Sequence, residues 1–160
     1  MKRILLSLIS LSASVSAIQG QSASNLTLKQ ALDLLPVHTS GYFATIDGDK
    51  PDVRGWQYQG FENGKFFFAT ANNKHVYSQM QKNRNVAFAC GSGDYQFRIN
   101  GKMSEVTDKS EKQRLFSKLS PGVQKIYKSW DNPLLVIFTV SDGRLRISHA
   151  FGPYQTIVIQ

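Results

Sequence analysis

A short polar loop, Thr70-Ala71-Asn72-Asn73-Lys74, combines side chains that could bind a phosphate group. It follows an apolar run at 66–68, typical of a strand, and precedes a predicted helix over 74–83. The loop presents a hydroxyl, two carboxamides and an ammonium group. The first turn of a helix adds unpaired backbone N–H groups and a partial positive charge, both of which favour an anion. The alternative is that Lys74 is a solvated surface side chain and Thr70 an ordinary hydroxyl at a strand end.

Other residue types that perform chemistry are few and scattered. The three histidines, His38, His75 and His149, are too widely spaced for a metal-binding motif. The single cysteine, Cys90, lies in an apolar run that predicts a buried strand, so we expect an inert thiol. The chain has no glycine-rich nucleotide motif and no Ser-His-Asp pattern. We therefore predict no metal site, and the sequence identifies no catalytic acid–base pair.

The N-terminal residues and the overall charge limit the classes of function. Residues 1–17 combine Lys2 and Arg3, an apolar run over 4–11 and small residues before Ala17, which is typical of a secretory signal peptide cleaved after Ala17. An anchoring N-terminal helix is the alternative, although the run is too short to span a membrane. We expect a periplasmic or secreted protein. The 160-residue chain has a net charge of +8, but its basic residues are dispersed, and we predict no nucleic-acid partner.

The elements that must position the polar loop are mostly short strands. Residues 18–26 are predicted to form a flexible leader, and residues 27–160 one domain that begins with a Thr27–Gln30 capping box. Tight turns join the predicted strands, so we expect an antiparallel sheet closed or partly closed into a barrel. Further short helices are expected over 108–119 and from Ser120 to Pro133. The predicted strands cover 41–47, 53–60, 65–70, 86–90, 96–106, 134–140 and 145–150, the last two joined as a hairpin by a turn at 141–143, with an edge strand at 156–159.

The order of these elements and four local motifs resemble the pyridoxamine 5′-phosphate oxidase-like family, the flavin mononucleotide (FMN)-binding split barrels. The similarity covers roughly residues 26 to 160. The four motifs are Pro51-Asp52-Val53-Arg54-Gly55-Trp56, Phe68-Ala69-Thr70 with Lys74, Gln96-Phe97-Arg98-Ile99-Asn100-Gly101-Lys102, and Trp130-Asp131-Asn132-Pro133. None of them is specific alone, and their order and spacing support the assignment.

The resemblance implies a mainly β fold with short helices (α+β), an antiparallel split β-barrel that forms a homodimer with FMN at the subunit boundary. Arg54 and Lys74 would contact the phosphate, the backbone of residues 54–57 the ring, and Gln96 the flavin edge. For Trp56 ordinary packing, and for Gln96 exposure to solvent, are the alternatives. The implied cofactor-binding residues are Arg54, Gly55, Trp56, Gln57, Ala69, Thr70, Asn73, Lys74 and Gln96.

The function implied by the resemblance is that of an exported flavoprotein, an FMN-dependent oxidoreductase that passes electrons or hydride to a small-molecule acceptor. The alternative is a non-catalytic carrier or sensor that holds flavin or haem on the same fold. Asn73-Lys74 stands where oxidase members have adjacent arginine and lysine, and their C-terminal tryptophan and arginine pair is not recognisable. The resemblance therefore does not extend to pyridoxamine phosphate as the substrate.

Overall fold

The computed structural model describes residues 25–159, so the predicted signal peptide and residues 18–24 of the predicted leader lie outside the described residues. Four short helices and eight strands make up the described part of the chain. In chain order these elements are α1 (Leu28–Asp33), β1 (Ser40–Asp47), β2 (Lys50–Gln57), β3 (Gly60–Glu62), β4 (Lys65–Ala71), α2 (His75–Lys82), β5 (Asn85–Ser92), β6 (Tyr95–Glu105), α3 (Lys109–Phe116), α4 (Pro121–Tyr127), β7 (Leu135–His149) and β8 (Gln155–Ile159).

All eight strands belong to one sheet, and every strand pair is antiparallel. The order across the sheet is β2-β1-β5-β6-β7-β4-β3, and β8 pairs with β7 off this path. The predicted fold class, a mainly antiparallel split barrel with short helices, is confirmed. The strands β2 and β4 lie near opposite ends of the sheet order, so the path between them runs through four other strands.

Strand β7 is continuous, and the predicted hairpin over 134–150 was wrong. Turn-forming residues at 141–143 are accommodated inside the strand, where Asp142 has a φ of 50°. The pairing register with β6 shifts between Asn100 and Lys102, as in a β-bulge. A side chain at Gly143 would bring its Cβ within 1.8 Å of the Asn100 carbonyl oxygen, so the two backbones approach closely only because this residue is glycine. The strand can therefore pair with β4 before the bulge and with β8 after it.

The short helices begin where the sequence predicts. Thr27 and Gln30 form the expected capping box at α1, and the side chain of Asp108 accepts a hydrogen bond from the backbone N–H of Glu111 at α3. Helix α4 ends at Tyr127, earlier than predicted, because Lys128 adopts a φ of 67°. In the described part of the chain, none of the helices has the length and apolarity to cross a membrane.

Strand β4 connects two apolar cores, because its successive side chains point to opposite faces of the sheet. Phe66 and Phe68 enter the barrel interior, where the Phe68 ring lies 5.6 Å from Phe138 between ring centroids. Phe67 enters a second cluster under α3 and α4, with Leu115. Aromatic pairs of this kind add about 0.5–1.5 kcal/mol each beyond the burial of their area. The end of β4, and the polar loop that follows it, are thus fixed by packing on both faces.

Candidate anion-binding cleft

A cleft of about 370 Å³ lies where β2 and β4 leave strand edges without a strand partner. Strand β2 pairs only with β1, and β3 covers β4 only as far as Phe67. We call this region the split cleft. A volume of this size is within the range of small-molecule sites, and free edges offer backbone N–H and C=O groups to a ligand. Its lining residues are Arg54, Gly55, Trp56, Gln57, Gln59, Ala69, Lys74, Val76 and Val123.

Six of the nine residues predicted to bind the cofactor line the split cleft. They come from two segments that are distant in the sequence, residues 54–57 of β2 and residues 69–74 at the end of β4. The structure does not bring Thr70, Asn73 or Gln96 to its wall. The six that line it are Arg54, Gly55, Trp56, Gln57, Ala69 and Lys74.

Arg54 is held in place by three neighbouring polar side chains. Its Nη1 donates to Thr45 Oγ1 (2.7 Å) and its Nη2 to Gln79 Oε1 (3.0 Å), and Nη2 also forms an ion pair with Asp52. The pKa of Asp52 is lowered, mainly by a hydrogen bond from Gln79. Burial has the next largest effect and acts upward, and the hydrogen bond and charge of Arg54 lower the pKa further. The Arg54 side chain is 22 % exposed, so the guanidinium is fixed but accessible.

Lys74 supplies positive charge at the start of α2. It is the N-cap residue of the helix and makes no side-chain capping hydrogen bond. Its exposed ammonium group forms no ion pair within residues 25–159, whereas the charge of Arg54 is balanced by Asp52. The uncompensated charge at the cleft therefore comes from Lys74 and the first turn of α2.

Residues 55–57 form part of the cleft wall mainly through their backbone, and the space beside Gly55 is open. Both polar atoms of the Gln57 side chain have a partner within the protein, because Nε2 donates to the His38 carbonyl (3.0 Å) and Oε1 accepts from Gln59 (3.1 Å). The Trp56 ring stacks on Phe43 with centroids 5.0 Å apart, which anchors it in the core as the packing interpretation expects. A Cβ at Gly55 would meet no atom within 4 Å. The wall formed by β2 is thus rigid and unobstructed at its centre.

Thr70 lies next to the cleft but is buried behind it. Thr70 is only 2 % exposed, and its Oγ1 has no hydrogen-bond partner among the described residues. Ala69, one position earlier, is the residue of β4 that lines the cleft. An unsatisfied buried hydroxyl costs about 1–3 kcal/mol, and because Thr70 lies outside the cleft lining this cost falls on the stability of the fold. Asn73 is exposed in the loop itself.

Gln96 lies on the outer face of the sheet and does not line the split cleft. It lines a separate groove of about 330 Å³ together with Tyr42 and Arg98. The Tyr154 hydroxyl donates to Gln96 Oε1 (2.9 Å), and the Arg98 guanidinium lies over the Tyr154 ring at 4.5 Å from its centroid. Within one copy of the chain, Gln96 and Arg54 therefore belong to different surfaces.

The sequence interpretation missed the residues that hold Arg54. Asp52 precedes Arg54 by two positions, which places both on one face of β2, and this spacing was a visible signal. Gln79 was harder to find, although it occupies a buried position of α2 beside Val76 and Met80. A polar residue in the apolar stripe of a helix requires buried hydrogen-bond partners, which Asp52 and Arg54 provide.

Comparison with known proteins supports the split-barrel fold. The family model described as pyridoxamine 5′-phosphate oxidase matches residues 27–151. A NimC/NimA family protein from Clostridium acetobutylicum is 23 % identical, with a TM-score of 0.69, over 81 % of this chain and 91 % of that one. A pyridoxamine 5′-phosphate oxidase-related, FMN-binding protein from Nostoc punctiforme is 13 % identical, with a TM-score of 0.58, over 82 % and 94 %.

A haem-binding protein from Mycobacterium smegmatis has the same fold, with 11 % identity and a TM-score of 0.64 over 75 % of this chain and 52 % of that one. At these identities the solved structures establish the fold alone. No curated protein matches the sequence.

Proposed function

Because the chain belongs to the pyridoxamine 5′-phosphate oxidase-like family, we propose that it is an exported flavoprotein that binds FMN in the split cleft and acts as an oxidoreductase. The observation that carries this proposal is that Arg54 and Lys74, which are distant in the sequence, line one cleft beside a free strand edge. The composition of residues 1–17 supports export.

The phosphate of FMN carries about two negative charges and matches the two cationic side chains that line the split cleft. Arg54 presents a fixed guanidinium there, and Lys74 adds a mobile ammonium group at the first turn of α2. The buried hydroxyl of Thr70 does not line the cleft, so these two cations are the charged donors that a phosphate would meet. The donor set therefore fits a dianion.

The flavin ring requires a flat wall and hydrogen bonds to its polar edge. The unpaired edge of β2 over residues 54–57 offers such groups, and Gly55 leaves the space beside it open. When bound, FMN supplies reversible transfer of one or two electrons. The lining residues include no Asp, Glu or His, which suits a site whose side chains bind and orient the cofactor and do not transfer protons.

We further propose that the protein is a homodimer, in which Gln96 of a second copy approaches the split cleft. The position of Gln96 on the outer face of the sheet excludes a contact within one copy. The same face exposes the large apolar side chains of Tyr42 and Val53, which a second copy could cover. Tyr154 accommodates the Gln96 oxygen and leaves its NH₂ group available as a donor.

Haem is the competing ligand, since a structural neighbour binds it. Haem iron is held by His, Cys, Met or Tyr side chains. None of these residue types lines the split cleft, and His149 lies on the outer surface against the ring of Tyr95. The donor set of this cleft therefore favours FMN.

The test is to identify and titrate the ligand of the purified mature protein. We expect denaturation to release FMN, which mass spectrometry would identify. We also expect the apoprotein to bind FMN more tightly than riboflavin, which lacks the phosphate. Bleaching of the bound flavin by a nicotinamide donor would support the oxidoreductase, whereas an inert flavin would favour the carrier. Co-purified haem, or equal affinity for FMN and riboflavin, would refute the proposed site.

A further inference from the structure

Gln79 occupies the centre of the polar cluster behind the split cleft. Its Oε1 accepts hydrogen bonds from Thr45 Oγ1 (2.6 Å) and from Arg54 Nη2 (3.0 Å), while its Nε2 donates to Asp52 Oδ2 (2.8 Å). Gln79 and Arg54 each contact the other three members of the cluster, and Gln79 is the more buried of the two, at 1 % exposed. These partners also fix the orientation of the amide, since the reverse orientation would place donors against Arg54 and an acceptor against the carboxylate.

The cluster leaves Arg54 with free donors and little freedom to move. A guanidinium has five N–H groups, of which those directed to Thr45, Gln79 and Asp52 are occupied. The remaining N–H groups, at Nε and Nη1, have no partner among the described residues, and Arg54 is a lining residue of the split cleft. Thr45 also stays in place through Gln79, because its hydroxyl donates to Gln79 while accepting from Arg54.

An arginine on a free edge strand would otherwise sample several rotamers. Restricting it to one rotamer when a ligand binds costs conformational entropy. Strand β2 pairs on one side only, so its side chains are not fixed by a second strand. Helix α2 supplies the missing restraint through Gln79. The Gln79 amide binds both the Arg54 guanidinium and the Asp52 carboxylate, so it holds the two side chains in one arrangement.

We propose that Gln79 is a positioning residue that fixes the Arg54 guanidinium at the wall of the split cleft, where it meets the phosphate of the ligand. This inference rests on the proposed function for the identity of the ligand, and on the hydrogen bonds above for the role of Gln79. It predicts that loss of the amide weakens recognition of the phosphate while recognition of the ring is retained.

The experiment compares FMN and riboflavin binding, by quenching of flavin fluorescence, in the wild type and in Gln79→Met, which has similar length and no polar atoms. We expect the Kd for FMN to rise about tenfold or more, the change that follows from losing a hydrogen bond to a charged group. The Kd for riboflavin should change less than about threefold, within the error of comparing single contacts.

Met80→Ala is the matched control, because Met80 is a neighbouring, fully buried residue of α2 outside the polar cluster. It should lower the melting temperature and leave the ratio of the two Kd values unchanged. Thr45→Val serves as a second variant, since it removes one Arg54 partner and keeps Gln79. Thr45→Val should change the ratio of the Kd for FMN to the Kd for riboflavin in the same direction as Gln79→Met does.

A second readout uses no ligand. The guanidinium nitrogen resonances of Arg54 should show slow rotation in the wild type and rapid averaging in Gln79→Met. Unchanged resonances, or an FMN preference that survives in Gln79→Met, would overturn the role of Gln79 and leave the proposed function intact. A wild type that binds FMN no more tightly than riboflavin would instead refute the proposed function, and the inference with it.

Discussion

We predict that Arg54 contributes more to FMN binding than Lys74 does, and replacing each residue in turn tests this prediction. Arg54 is 22 % exposed and already oriented, so its bond to a phosphate would be charge-assisted at little entropic cost. Such bonds contribute about 1.5–3 kcal/mol. Arg54→Met should therefore raise the Kd for FMN about 10- to 150-fold.

Lys74 is exposed and has no side-chain partner that fixes it. A solvent-screened contact of this kind contributes about 0.2–1 kcal/mol, so Lys74→Ala should raise the Kd at most about fivefold. Lys82→Ala, at the other end of α2, should have no effect on binding.

Arg54→Met will also affect the fold, because Thr45, Gln79 and Asp52 each lose a partner. We expect a loss of about 1–3 kcal/mol in the free energy of unfolding, so binding must be measured well below the melting temperature. Arg114→Met is the matched control: this arginine is 38 % exposed and pairs with Glu62 at 2.9 Å, away from the cleft.

The assay is fluorescence titration with FMN and with riboflavin. Equal weakening of both ligands by Arg54→Met, or a larger effect at Lys74 than at Arg54, would contradict the reasoning.

Three further predictions follow from single residues. Thr70→Val should leave the unfolding free energy of the apoprotein unchanged or raise it by about 1 kcal/mol, since an unpartnered buried hydroxyl is removed. FMN binding should not change, because Thr70 does not line the cleft; denaturant melts and titration would check both expectations. Gly143→Ala should lower the free energy of unfolding by about 1–3 kcal/mol or more, because its Cβ would overlap the carbonyl oxygen of Asn100. Gly122→Ala, with open space around it, is the control and should leave that free energy unchanged or raise it in the same melts. Burial raises the pKa of the Cys90 thiol from 9.0 to about 11, so its thiolate fraction at pH 8 is about a hundredfold lower than in the unfolded chain, and a thiol reagent should react with it slowly until denaturant is added. Because the folded state favours the protonated thiol, the free energy that Cys90 contributes to folding depends on pH. This contribution is complete below pH 9 and is lost as the pH rises from about 9 towards 11.

Local rules predicted most elements because neighbouring residues determine them. The Thr27 capping box, the Asp108 cap and the alternation of apolar residues along β6 each follow from short-range spacing, and all three are present. The error at residues 134–150 has a physical reason. Ser141-Asp142-Gly143 is typical of a tight turn, but the cross-strand contacts of β7 with β4 and β8 stabilise a bulged, continuous strand instead.

The candidate site was predictable only where its residues share a short segment. Residues 54–57 and Lys74 were selected through motifs, and the structure places them around one cleft. The partners of Arg54 could not be found in this way, since Gln79 lies 25 positions away and contacts it only because α2 packs over that end of the barrel. Whether Gln96 approaches the cleft depends on a second copy of the chain, which no spacing within one chain determines.

The position of β7 has a consequence for how the barrel forms during synthesis. Strand β4 is joined to the rest of the sheet by residues 135–140, about 70 positions further along the chain, and β3 extends it only outward. Strands β1, β2, β5 and β6 can associate earlier, but one wall of the cleft stays unanchored until β7 has been made. Loop closure over such separations is slow, so a ribosome-bound chain would expose three consecutive phenylalanines at 66–68 throughout that interval. A holding chaperone that recognises this segment would protect the chain until Leu135–Val140 arrives to cover it.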